Sequence, residues 1–117
     1  MKKFTDLIAW QKGHELVINV YKCSKDFPQE ELYSLTNQVR RASVSITSNL
    51  AEGFNRQSRK EKVQFYYTSL GSLNEVQNQL LISKDLGYLK KETFEMLAEK
   101  SVVVSKLING LIKSIKQ

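Results

Sequence analysis

The sequence predicts an all-α fold, an antiparallel up-down-up-down four-helix bundle, and three observations carry the prediction. Apolar residues recur at spacings of three and four along four long stretches, and no segment alternates with period two. The breaks between stretches are only a few residues long and hold Pro28, the Asn55-Arg56-Gln57 turn and Gly87. At 117 residues, the chain fits one domain (1–117) that buries a core without metal or disulfide. Helices joined by such short connections pack antiparallel to their sequence neighbours.

The first helix is expected over about residues 6–25, with Phe4, Leu7, Trp10, His14, Val17, Ile18 and Tyr21 on its buried face. Asp6 suits the positive start of that helix, and Lys22 and Lys25 suit its end. Pro28 marks the break, because the residue before a proline disfavours helical geometry. The second helix, about 31–53, organises the rest. Leu35, Val39, Ala42, Ile46, Leu50 and Gly53 form its apolar stripe. Beside them runs a polar stripe of Gln38, Arg41, Ser45, Ser48, Asn49 and Glu52. Its far side holds the small, uncharged Val44 and Ala51, with Arg40 as the main charge. So little solvated surface suits a central helix whose polar stripe meets neighbours.

Ser58-Arg59-Lys60-Glu61 has capping-box spacing and starts the third helix, about 59–86, with Gly87 as a left-handed cap. Val63, Tyr66, Tyr67, Leu70 and Leu81 form one side of it, adjoined by Phe65, Leu73, Val76 and Leu80. A face this broad contacts more than one neighbour. The fourth helix, about 91–114, buries Phe94, Leu97, Val104, Ile108, Leu111, Ile112 and Ile115. The run Val102-Val103-Val104 lowers its helix propensity only modestly.

The chain carries a net charge of +6. Residues 39–62 hold Arg40, Arg41, Arg56, Arg59, Lys60 and Lys62 against Glu52 and Glu61. Residues 101–117 hold Lys106, Lys113 and Lys116 and no acid. Such excess permits sequence-independent phosphate contacts, and it equally describes a solvated helical surface. The lone Cys23 forms no internal bridge, no long apolar run follows the N-terminal lysines, and no stretch has the length of a membrane span. A cytoplasmic protein without membrane contact is expected.

Catalytic and metal chemistry lack their residues. His14 is the single histidine and reads as a core or interface residue, so no metal set is available and no cofactor is expected. The Glu-x-x-His repeats of di-iron bundles are absent. Ser43, Ser45 and Ser48 have no nucleophile elbow, Cys23 lies two to three helical turns from His14, and no phosphate-binding glycine loop occurs. Among Arg41, Ser45, Asn49 and Glu52, a hydrogen-bonded network across helices or subunits accounts for the polar types, since such groups enforce register. A small-ligand pocket is the other reading of the same set.

The series Asp6-Leu7, Trp10-Gln11-Lys12, His14-Glu15-Leu16, Tyr21, Phe27-Pro28, Glu31, Leu35, Gln38-Val39-Arg40-Arg41-Ala42, Ser45-Ile46, Asn49-Leu50-Ala51-Glu52-Gly53 and Gly71-Ser72-Leu73 with Glu75 strongly resembles one family. It is the four-helix-bundle family encoded in intervening sequences of bacterial 23S ribosomal RNA genes. The resemblance spans nearly the whole chain and implies a homopentameric ring. It also implies kinship in architecture with the accessory variability proteins of diversity-generating retroelements, basic pentamers that bind nucleic acid and a reverse transcriptase. The intervening-sequence branch itself brings no settled biochemical role. Two positions depart from the family pattern: Gln77 stands where a second Glu is frequent, and Gly13 where Ala is common. The first removes a candidate carboxylate pair from the third helix.

Two functions follow as expectations. One is a non-catalytic oligomer touching RNA or DNA phosphates through Arg40, Arg56, Arg59, Lys60, Lys62, Lys113 and Lys116, with Gln38, Arg41, Ser45, Asn49 and Glu52 as interface or buried network. Repetition around a ring turns weak patches into useful affinity. The alternative is a scaffold that recruits a protein partner without binding nucleic acid.

Overall fold

A computed structural model describes all residues, Met1–Gln117. Four helices form: α1 (Ile8–Ser24), α2 (Leu35–Phe54), α3 (Arg59–Asp85) and α4 (Lys91–Lys116). Short 3-10 turns at Phe4–Asp6 and Gln29–Glu31 precede the first two. Each helix packs on the next, α1 closes on α4, and the backbones of the diagonal pairs stay more than 8 Å apart between Cα atoms, which is the expected bundle. It measures 43 × 25 × 20 Å. No helix is long and apolar enough to cross a membrane.

The predicted stripe of α2 is buried along its whole length: Val39, Ile46 and Leu50 have no exposed surface, and Leu35, Ala42 and Gly53 are also enclosed. They meet Leu16 and Val20 of α1, Tyr66, Leu73 and Val76 of α3, and Leu97, Val104 and Ile108 of α4 in one apolar cluster. Burying each such side chain contributes roughly 1.5–3 kcal/mol before entropy is subtracted. Small residues set the helix spacing. A Cβ at Gly13 would stand 3.2 Å from Thr47 Cγ2, so α1 lies close on α2. Buried serines keep their hydroxyls satisfied: Ser43, Ser83 and Ser101 donate to carbonyls one turn back, and Ser69 donates 2.8 Å across to the Ile46 carbonyl.

Four expectations need correction. Asp6 does not start α1. Its carboxylate accepts the Lys2 and Lys3 amides at 3.1 Å each, closing the 3-10 turn, and extended Leu7 separates that turn from α1. The second helix is likewise delayed to Leu35, whose amide donates to the Glu31 carboxylate at 3.4 Å.

The buried face of α1 is rotated from the expected one. Ala9, Gly13, Leu16, Val17, Val20 and Ser24 point inward, while His14 is exposed and Ile18 and Tyr21 are about two-fifths exposed. Both registers are apolar, and the one carrying small residues wins because it admits close approach to α2. His14 is therefore not a core residue; it stacks on Trp10 at 4.8 Å, with Phe4 edge-on to the indole at 5.5 Å.

On α3, Tyr66 is buried but Tyr67 and Leu81 are nearly half exposed, so these do not share one packed face. Ser58 accepts the Glu61 amide at 3.0 Å, which is one arm of the predicted capping box. Gly87 sits at φ +83°, a conformation that costs glycine least, and ends α3 as expected.

Candidate nucleic-acid interface

Antiparallel packing places the α1 start, the α2–α3 turn and the α4 end at one pole of the bundle. That pole gathers Lys2, Lys3, Arg56, Arg59, Lys60, Lys62, Lys113 and Lys116 against only Asp6, Glu52 and Glu61. The opposite pole, residues 20–34 and 82–95, is balanced: Lys22, Lys25, Lys84, Lys90 and Lys91 face Asp26, Glu30, Glu31, Asp85, Glu92 and Glu95. The basic excess is thus localised, and three segments distant in sequence supply it.

The basic side chains at this pole are not equivalent. Arg59 and Lys60, in the first turn of α3, are exposed and carry no ion pair or hydrogen bond. Arg56 pairs with Glu52 at 3.0 Å and lies 4.9 Å above the Phe65 ring. That exposed pair is worth little, so Arg56 stays available. Lys62 is committed: its ammonium donates to the Phe54 carbonyl at 2.6 Å and the Gly53 carbonyl at 3.3 Å, satisfying the end of α2. Lys113 is exposed, and the Lys116 ammonium stands 3.4 Å from the Tyr67 hydroxyl.

Arg40 is elsewhere. It lies roughly 21 Å along α2 from Phe54, where the helix meets the basic turn, at about 1.5 Å per residue. It donates to Ser24 Oγ at 2.8 Å and to the Tyr21 carbonyl at 3.5 Å, and covers the Tyr21 ring at 4.9 Å. This arginine clamps α1 to α2 and does not join the basic pole.

The polar stripe of α2 divides in two. Ser45 and Asn49 are half-buried: Ser45 shares a hydrogen bond of 2.8 Å with Ser72 of α3, and Asn49 donates to the Ser45 carbonyl and hydroxyl. Gln38, Arg41 and Glu52 are exposed within the single chain. No buried Arg41–Glu52 network forms, because Glu52 turns towards Arg56 and α2 keeps an open outer side. Arg41 instead faces an open groove of about 510 Å³ between α2 and α3, together with Glu75 and Gln79. The side-chain amide oxygen of Gln79, Oε1, is buried without a partner.

No three His, Cys, Asp or Glu side chains come together at metal-binding distances. Burial, and secondarily the charge of Asp26, push the Cys23 thiol up, which keeps it protonated and a poor nucleophile. Sequence reasoning missed three contributors at the basic pole. Lys2 and Lys3 were legible only as N-terminal charges until topology brought them beside the α2–α3 turn. Tyr67 was assigned to the packed face, and only the rotation of α3 about its axis separates it from Tyr66.

Residues 5–110 match the family model described as 23S rRNA-intervening sequence protein. The fold is also similar to a crystal structure of a protein with unknown function from the S23 ribosomal protein family of Bacteroides thetaiotaomicron. The TM-score is 0.84 at 23% identity, covering 91% of this chain and 96% of that one. None of the curated proteins matches the chain.

Proposed function

The chain belongs to the 23S rRNA-intervening sequence protein family, and from that premise we propose a non-catalytic, oligomeric protein that binds the phosphates of RNA or DNA at its basic pole. The observation that supports this is the gathering of eight cations against three acids at one end, while the other end is balanced. Arg59, Lys60, Lys113 and the N-terminal lysines are the free contacts, and the amides at the start of α3 add a favourable field for anions. Lys62 and Arg40 serve the fold. A ring of copies would present the pole several times, so weak contacts gain by multivalency.

Titration against structured RNA at several salt concentrations tests the proposal. Affinity should fall linearly on a log–log plot, and the double variant Arg59→Ala, Lys60→Ala should shallow the slope by about 2. No binding at low salt, or binding indifferent to salt, would overturn it.

Exposed apolar side chains favour a second reading, recruitment of a protein partner. Leu81, Ile82, Val102 and Val103 on α3 and α4, and Leu86 just past the end of α3, are each two-fifths or more exposed. Pull-down from the native cell separates the two readings, with nucleic acid alone counting against recruitment.

A further inference from the structure

The basic pole carries an aromatic feature that phosphate binding does not use. Tyr66 is 1% exposed and Tyr67 is 49% exposed, so neighbouring tyrosines have opposite surroundings. Lys60, Gln64 and Tyr67 fall on one face of α3 at spacings of four and three. Gln64, Phe65, Tyr67 and Thr68 line an open groove of about 410 Å³. Lys116 borders it, its ammonium 5.8 Å from the Tyr67 ring centre. One turn further along the same face, Gly71 leaves open space, with nothing within 4 Å of where a Cβ would be. Between Glu61 and Glu75, α3 holds no acid, and α4 holds none after Glu99. An exposed ring beside the Lys116 ammonium, with Lys60 about two turns away on the same face and no acid between them on that face, has the ingredients of a base-stacking platform.

We propose that the Tyr67 groove stacks an unpaired nucleobase, so that the partner of the basic pole is single-stranded nucleic acid. This rests on the phosphate-binding reading and adds to it. Duplex bases already cover each other's faces, so only an unstacked base lies flat on the ring. Lys60 on one side and Lys116 on the other then meet the flanking phosphates. Stacking on a phenol ring is tolerant of sequence, since every base has a π-face.

Fluorescence anisotropy with a labelled single-stranded RNA of about 12 nucleotides, and with a hairpin duplex of matched charge, tests the inference. The single strand should bind more tightly. Tyr67→Ala should weaken it about tenfold at fixed salt, within the range expected for losing one stacked base. Tyr67→Phe should bind like the parent, and the salt slope should be unchanged in Tyr67→Ala, because no phosphate contact is lost. Equal affinity for duplex and single strand, or an unaffected Tyr67→Ala, overturns the stacking inference and leaves phosphate binding intact. Absence of binding to both probes overturns the two together.

Discussion

At Gly53 a Cβ would lie 2.6 Å from Cε1 of Tyr66 and 3.0 Å from Cβ of Phe65, and the Tyr66 ring is enclosed with 1% exposure. Gly110 is also inside a helix, yet a Cβ there would meet nothing within 4 Å. Helix propensity alone favours alanine over glycine at both positions by about 1 kcal/mol. At Gly110 nothing opposes that preference, so Gly110→Ala should raise stability by up to about 1 kcal/mol. At Gly53 the steric term wins, since overpacking a closed site costs about 1–3 kcal/mol. Gly53→Ala should therefore lower stability despite the better helix former. Urea unfolding of the two variants checks both signs, and stabilisation by Gly53→Ala would show that α3 yields readily. Gly53 was legible as the end of an apolar stripe. The ring that makes it irreplaceable lies on another helix and was not.

Between elements, one contact joins two connections at the balanced pole. The Tyr88 hydroxyl donates to Glu31 at 2.8 Å, linking the α3–α4 turn to the approach of α2, and its ring lies 5.6 Å from Phe27. That hydrogen bond is the main cause that raises the Tyr88 phenol above its ordinary value near 10, followed by burial and the charges of Glu31 and Glu30. The raised value means that the folded state holds the proton more tightly than the unfolded one. Its contribution to stability is complete below the unfolded value and is lost as pH rises through the folded one. Tyr66, raised by burial, acts in the same direction. The raised Cys23 thiol adds to the same decline, so the melting temperature should fall on going from about pH 9 to 11, and Tyr88→Phe should lessen the fall by removing one of the three titrations. An equal alkaline decline in Tyr88→Phe would refute the link. Helix positions were readable from periodicity because apolar spacing records which side faces the core. The start of α2 was not, because it depends on the Glu31 side chain reaching forward to accept the Leu35 amide, and α1 misled because two apolar registers compete on it.

Across the whole molecule, two flanks remain incompletely covered. On α1, Ile8, Ile18 and Tyr21 are exposed; on α3 and α4, Leu81 and Val102 are, lining a cleft of about 270 Å³ beside Phe94. Dissimilar patches on different flanks suit a head-to-tail contact, which closes into a ring when its rotation permits. The candidate site was only half legible for the same reason. Charge clusters are local in sequence, whereas the pole that unites them and the groove that holds Arg41 are products of packing. Arg41 is exposed, carries no ion pair and shares an open groove with Glu75, an arrangement suited to a second copy. Arg59 stands unpaired at the basic pole. Arg41→Ala should weaken assembly by about 2 kcal/mol, as truncating a buried interface arginine does, and leave the salt slope of nucleic-acid binding nearly unchanged. Arg59→Ala should leave the oligomer intact and shallow that slope by about 1. Light scattering at micromolar concentration and a salt-dependent titration measure the two outcomes independently. A stable monomer in the parent protein removes the assembly half of the division. Equal effects of both variants on both measurements would show that groove and pole are one surface.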